Sequence, residues 1–343
     1  MERISNKVSF FGDIYVKNVQ NFEHAISSCD LLGHINVINF EAPVISKTSE
    51  SVLKTGPHLS HSNTLLESLK RYGISHLCLS NNHITDFGED GVKHTVAEIQ
   101  RLGMYYLGVA DRNETKIVVV EDVKIGIFNV SEDEWQSRYS LDVRVHQDYV
   151  TYTNLLELRK KVDYLVVIYH GGLEHVDAQT IQFNERISKY VDVGSDLVLC
   201  HHSHQEGQVY RIGKSYIATG LGDFYFEGHT NTGVVAQLLI TGDEVGVEFY
   251  RSMFDNITGK FSAAEIEIKS LVKTSDLETL DMNTKYEQYR SYLNQFSFLR
   301  GRLKLYRLIP IGKLLLLRNI LNNSSHRNMA IYTLDKWIKQ RSR

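Results

Sequence analysis

Ile74-Ser-His-Leu-Cys-Leu-Ser-Asn-Asn-His-Ile-Thr-Asp-Phe-Gly-Glu-Asp-Gly-Val-Lys-His-Thr-Val-Ala-Glu-Ile-Gln-Arg-Leu-Gly103 is the stretch on which the fold turns. Its first six residues are an apolar run and predict a strand. Ser80-Asn-Asn-His83 then gives a polar turn at the strand's carboxyl end. A helix is expected to start near Asp90, to place Val92, Val96 and Ile99 on one face, and to stop at Gly103. Strand, polar turn and helix in that order are the repeating unit of α/β proteins, which bind ligands at the carboxyl ends of their strands.

The same unit recurs on either side of it. Toward the N-terminus, Lys7 to Tyr15 reads as a strand ending around Gly12-Asp13. Phe22 to Cys29 reads as a helix, Ile35 to Glu41 as a β-branched strand, and Ser62 to Arg71 as a helix with Leu65, Leu66 and Leu69 on one face. Toward the C-terminus, Lys116 to Val130 reads as two strands around Glu121-Asp122. Leu155 to Val162 and Thr180 to Val191 read as helices, and Tyr164 to Tyr169 and Asp196 to Cys200 as strands. Hairpin patterns follow at 208–211, 215–219, 234–240 and 244–249. The expectation is an α/β fold with a mixed sheet or two packed sheets. Beyond about Phe254 the texture turns helical and basic, which divides the chain into 1–254 and 255–343.

The 343 residues are 42% hydrophobic and 23% charged, the balance of a folded globular protein. The net charge of -3 hides a division. From Arg300 to Arg343 there are eleven Lys or Arg and one acid, Asp335. The segment is therefore strongly basic and the remainder acidic. Three scattered cysteines, Cys29, Cys78 and Cys200, make no disulfide framework and fit a reducing compartment. The start of the chain reads as lacking a signal peptide, and no apolar run approaches the length of a membrane span. The expected location is cytoplasmic.

The residues with chemistry cluster at the ends of the expected strands. Asp13, Glu41, Asn81-Asn82-His83, His170 and His201-His-Ser-His204 each close one. Alone, each has a bland reading: a turn for Gly12-Asp13, a helix cap for Asn81-Asn82, a partly buried imidazole for His170. Five such ends in one chain point to a divalent metal held by oxygen and imidazole donors, with Mn, Fe and Zn all compatible. Cys200 alternates away from His201 and is not expected to compete.

These motifs, in this order, resemble the CapA-type family (poly-gamma-glutamate capsule synthesis), a branch of the calcineurin-like metallophosphoesterases. The matching segments are Phe11-Gly-Asp-Ile14, Asn39-Phe-Glu-Ala-Pro43, Ser80 to Gly91 with Thr95, His170-Gly-Gly-Leu-Glu174, His201-His-Ser-His204 and Gly220-Leu-Gly-Asp-Phe224. They cover roughly the first 250 residues. The resemblance implies a four-layer α/β/β/α sandwich with a helical basic C-terminal extension, and one or two divalent ions. Carried over, it makes Asp13, Glu41, Asn82, His170, His202 and His204 metal ligands. It makes His83 a general acid or transition-state donor, with Asp86 and Glu174 in supporting catalytic roles. Asn81, His201 and Asp223 would back the ligands or wall the substrate. The sequence departs from the wider pattern at Tyr15, where Asp-x-His would supply an imidazole, and from the family at Gly171, Ser203 and Asp223.

The resemblance implies metal-dependent hydrolysis of a phosphoester or related anionic bond in the synthesis of a capsule, exopolysaccharide or polyglutamate. The alternative is a non-catalytic component that binds the anionic polymer in an export assembly with other capsule-synthesis proteins. Residues 298–343 mix Leu with Arg and Lys. They suit either a peripheral contact with the inner face of an anionic membrane or a helical subdomain packed on the body; no nucleic-acid module is present.

Overall fold

In the computed structural model the described residues are 6–46, 49–54, 56–109, 116–132, 143, 148–176, 179–255 and 258–278. The basic segment 298–343 lies outside them.

β1 (Asn6–Tyr15) shows how the layers arise. Val8 and Phe10 belong to a core that also holds Ile125, Ile127, Val166, Ile168, Leu197 and Leu199, strand residues of a second sheet. Phe11 and Ile14 belong to a core shared with helical residues. A strand that buries both faces sits inside a sandwich.

In the first sheet β1 lies beside β2 (Ile35–Phe40), followed by β3 (His76–Cys78) and β4 (Tyr105–Leu107), all parallel. On the other side of β1, β12 (Thr232–Thr241), β13 (Glu244–Phe254) and β14 (Phe261–Glu265) run antiparallel in turn. β11 (Asp223–Phe226) pairs in parallel with the end of β1. Against this sheet pack α1 (Val19–Ile26), α2 (Asn63–Arg71) and α3 (Gly88–Arg101), through Phe22, Ile26, Leu65, Leu69, Val92 and Ile99.

The second sheet has the order β15 (Lys269–Leu271), β9 (Val209–Ile212), β10 (Ser215–Ala218), β8 (Leu197–His201), β7 (Tyr164–His170), β6 (Val123–Ser131) and β5 (Lys116–Val120). α4 (Asp148–Arg159) and α5 (Ile181–Asp192) cover it through Leu155, Leu158, Phe183, Ile187 and Tyr190. Helices, sheet, sheet, helices is the expected α/β/β/α order. Parallel strands β1–β3 and β6–β8 bring their carboxyl ends to one edge.

Several elements differ from expectation. β4, β11, β14 and β15 go beyond it, because each has only three to five residues and is held by its neighbours rather than by its own pattern. α4 begins at Asp148, not near Leu155. Beyond Phe254, β14 continues the first sheet and β15 joins the edge of the second. A short turn of helix at Thr274–Asp276 then packs on α5, with Thr274 Oγ1 2.6 Å from Ser188 Oγ. Cys200 faces α5 in the outer core, away from the site, as alternation predicts.

Candidate metal centre

Asp13 is fully buried at the end of β1. The register of β1 slips against β2 beside it, between Phe11 and Asp13. Its Oδ1 accepts from Asn39 Nδ2 at 2.9 Å and lies 2.6 Å from His201 Nδ1; its Oδ2 lies 3.4 Å from the His202 amide nitrogen. Glu41 follows β2, also fully buried. Asn39 Nδ2 donates to its Oε2 at 2.5 Å, so one amide spans the two carboxylates. Motif reading gives Asn39 no role of its own. Its signal is present nonetheless: two residues before Glu41 on a strand, it must share Glu41's face.

The imidazoles come from β7 and from the end of β8. His170 Nε2 lies 2.9 Å from Asn82 Oδ1, 3.2 Å from His202 Nδ1 and 3.6 Å from Glu41 Oε1. His204 Nδ1 lies 3.5 Å from Asp13 Oδ2. His201 reaches Asp13 and thus backs that carboxylate. Asn81 is spent on the backbone: its Oδ1 accepts from the His83 and Ile84 amides, and its Nδ2 donates to the Phe40 carbonyl. It shapes the turn that presents Asn82 and His83.

Beside this cluster is a buried charged relay. His83 Nδ1 lies 2.8 Å from Asp86 Oδ2, which also accepts from the Leu59 amide at 2.7 Å. Asp86 Oδ1 is paired with Lys54 Nζ, which lies 3.2 Å from His83 Nδ1. Asp86 thus orients His83 and no ligand imidazole. Lys54 is invisible to motif reading, since it sits in a loop with no pattern. Burial lowers its pKa against the pull of Asp86. Burial, and then the Lys54 charge, lower His83 as well.

At the rim, Glu174 is 39% exposed, with Oε1 4.0 Å from His202 Nε2 and Oε2 4.0 Å from His175 Nε2. Its partial burial opposes ionisation, but the charges of His202, then His175, hold it below the usual carboxylate range. It faces the imidazoles without a hydrogen bond to them. Asp223 lies against His204 and against His229, a residue absent from the sequence reading. A side chain at Gly171 would meet Tyr169 Oη at 2.6 Å, so that glycine makes room for a core tyrosine. Four non-glycine residues among those described have positive φ, and three are histidines here: His175 at 59°, His202 at 88° and His204 at 51°. Such backbone costs of order 1–3 kcal/mol per residue and persists where the surroundings enforce it.

The donor set fits a divalent cation. Ligand atoms of Asp13, Glu41 and His204 all lie within 4.8 Å of one another. Among the described residues Glu41 Oε1 and Asn39 Oδ1 are buried with no hydrogen-bond partner, a costly arrangement that a cation relieves at the carboxylate. Burial, and then the Asp13 charge, push Glu41 well above the usual carboxylate range. Asp13 itself is held below that range by His201 and His204 despite its burial. Burial keeps His170 far below the ordinary imidazole value and brings His202 to about 4, so both offer neutral lone pairs, as metal binding requires.

Two sheets packed between helices, with Asp, Glu, Asn and His donors at one edge, define an α/β/β/α sandwich with a candidate metal edge. Within that class the chain belongs to the bacterial capsule synthesis protein PGA_cap family, whose model matches residues 10–228. It is 26% identical over 271 residues to the capsule biosynthesis protein CapA of Bacillus anthracis, covering 73% of this chain and 62% of that protein. It is 24% identical over 240 residues to the PGA biosynthesis protein CapA of Bacillus subtilis (strain 168), covering 67% and 60%. The chain thus spans about three fifths of the length of these relatives. A solved structure of a hypothetical protein from Thermus thermophilus aligns with a TM-score of 0.46 at 14% identity, covering 71% of this chain and 98% of that one. No described helix is long and apolar enough to cross a membrane.

Proposed function

We propose that this chain is a metal-dependent hydrolase of capsule or polyglutamate synthesis, acting on a phosphoester or related anionic bond. The observation that carries this reading is the convergence of buried donors with a Glu41 oxygen that accepts no hydrogen bond among the described residues, beside an oriented histidine, His83. Asp13, Glu41, Asn82, His170, His202 and His204 would hold one or two divalent ions. A bound divalent ion lowers the pKa of water toward about 7 and polarises a phosphoryl oxygen.

The chain's own residues do the rest. Asn39 keeps the two carboxylates in place, and His201 fixes Asp13. Asp86 takes up His83 Nδ1, which leaves Nε2 to exchange a proton with a substrate oxygen. Lys54 compensates the Asp86 charge.

The test is turnover of a phosphodiester panel with Mn by the full chain. His83→Asn is expected to cost about 10²- to 10⁴-fold in kcat with metal content unchanged. His202→Ala is expected to lose both metal and turnover. Equal turnover in His202→Ala and wild type removes the mechanism.

A further inference from the structure

The sequence lacks the imidazole that an Asp-x-His motif would provide, having Tyr15 in its place. The structure gathers other donors at the same edge. The parallel register of β1 and β11 sets Asp223 beside Asp13. Asp223 is 1% exposed, and its two oxygens are both engaged: Oδ1 lies 2.8 Å from His204 Nδ1, and Oδ2 lies 2.8 Å from His229 Nδ1. One ligand atom from each of His204, Asp223 and His229 falls within 4.8 Å of the other two. His204 also belongs to the inner group with Asp13 and Glu41, so the two groups share one imidazole.

Aromatic contacts pack the rim group. The Phe226 ring stacks on His229, with centroids 4.3 Å apart and planes at 13°, and meets His204 edge-on at 4.8 Å. His204 is fixed in the left-handed backbone region. The side chain of His229 is 28% exposed, so the group opens to solvent on one side. Two imidazoles, one carboxylate and an open position form the donor set of a zinc-type site that can exchange a ligand.

We propose that His204, Asp223 and His229 form a divalent-metal site at the rim, of the zinc class, which supplies the outer ion with donors that the first motif lacks. This rests on the reading of the edge as a metal centre and names which residues of this chain hold the outer ion. Asp223 would be a ligand and not a wall residue, and His229 a ligand that no motif announces.

The test is direct titration of metal-stripped full chain with zinc alone, scored by stoichiometry and Kd rather than turnover. His229→Gln changes a partly exposed side chain, and Asp223→Asn is a near-isosteric swap. Each is expected to weaken the outer zinc about tenfold or more, or to lose that equivalent, while the inner one is retained. His202→Ala is expected to do the reverse. Wild-type affinity and stoichiometry in both rim variants overturn the proposal, and Asp223 is then only a hydrogen-bond acceptor for two imidazoles. If His202→Ala still loses an equivalent in that case, the reading of the inner centre stands. Absence of zinc binding by wild type overturns both.

Discussion

At Lys54 an ammonium group has left water and faces Asp86 and His83 with its side chain fully covered. Removing one partner of a buried ion pair costs more than the pair contributes, because the other charge is stranded. Lys54→Met should therefore lower stability by about 3 kcal/mol in denaturant titrations. Adding Asp86→Asn should recover part of the loss, since the stranded charge goes with it. A Lys54→Met variant as stable as wild type would mean that Asp86 is already neutralised by His83. Most of the candidate site is legible in the sequence at this scale, because Asp13, Glu41, Asn82, His170, His202 and His204 all close recognisable strands or turns. Lys54 and His229 stay hidden for one physical reason. Both reach the site through long-range folding of segments without periodicity, and a lone Lys or His in such a segment reads as solvated surface.

Among the elements, β11 is the one that the whole rim depends on. It approaches β1 so closely that a Cβ at Gly12 would lie 2.3 Å from the Gly222 carbonyl oxygen and 2.8 Å from that of Leu221. The Asp13 amide donates to the Gly222 carbonyl at 2.8 Å, which locks the two segments together. Gly12→Ala should force them apart and cost about 1–3 kcal/mol, read as a lowered Tm, with weaker zinc binding at the rim. An unchanged Tm would show that the edge yields without strain. The long strands are legible because β-branched runs such as Ile35 to Phe40 and Tyr164 to His170 bury both faces. β11, a four-residue strand that follows Gly222, is legible only as a motif, since its pairing is decided by β1 and not by its own composition.

For the molecule as a whole, buried histidines set the pH response of the metal-free chain. Burial lowers His61 to about 3, and burial lowers His175 and His202 to about 4 each. Below about pH 6.5 the unfolded chain takes up protons at these positions and the folded chain does not. Stability is therefore lost as pH falls from about 6.5 toward 4, by about 1.4 kcal/mol per unit per histidine. His204 has the opposite sign. Burial opposes its charge, but Asp223 and Asp13 raise it to about 10, so its contribution is full below the ordinary imidazole value and is lost as pH rises toward about 10. Metal-free protein should be most stable near about pH 6.5 in denaturant titrations between about pH 4 and 9. His61→Phe, which leaves the metal centre untouched, should flatten the acid side by one histidine's worth. A flat profile would contradict the burial of these groups.

The pairing of β1 with β11 and β12 also has a consequence in time. β1 opens the described chain, yet its neighbours on one side, Asp223 to Phe226 and Thr232 to Thr241, are made about 200 residues later. At ribosomal rates of roughly 5–20 residues per second, that strand waits on the order of 10–40 s with one edge unpaired. The rim cannot exist until Asp223 and His229 have emerged, so occupancy there would report that synthesis has passed His229, with β12 to β15 still to come.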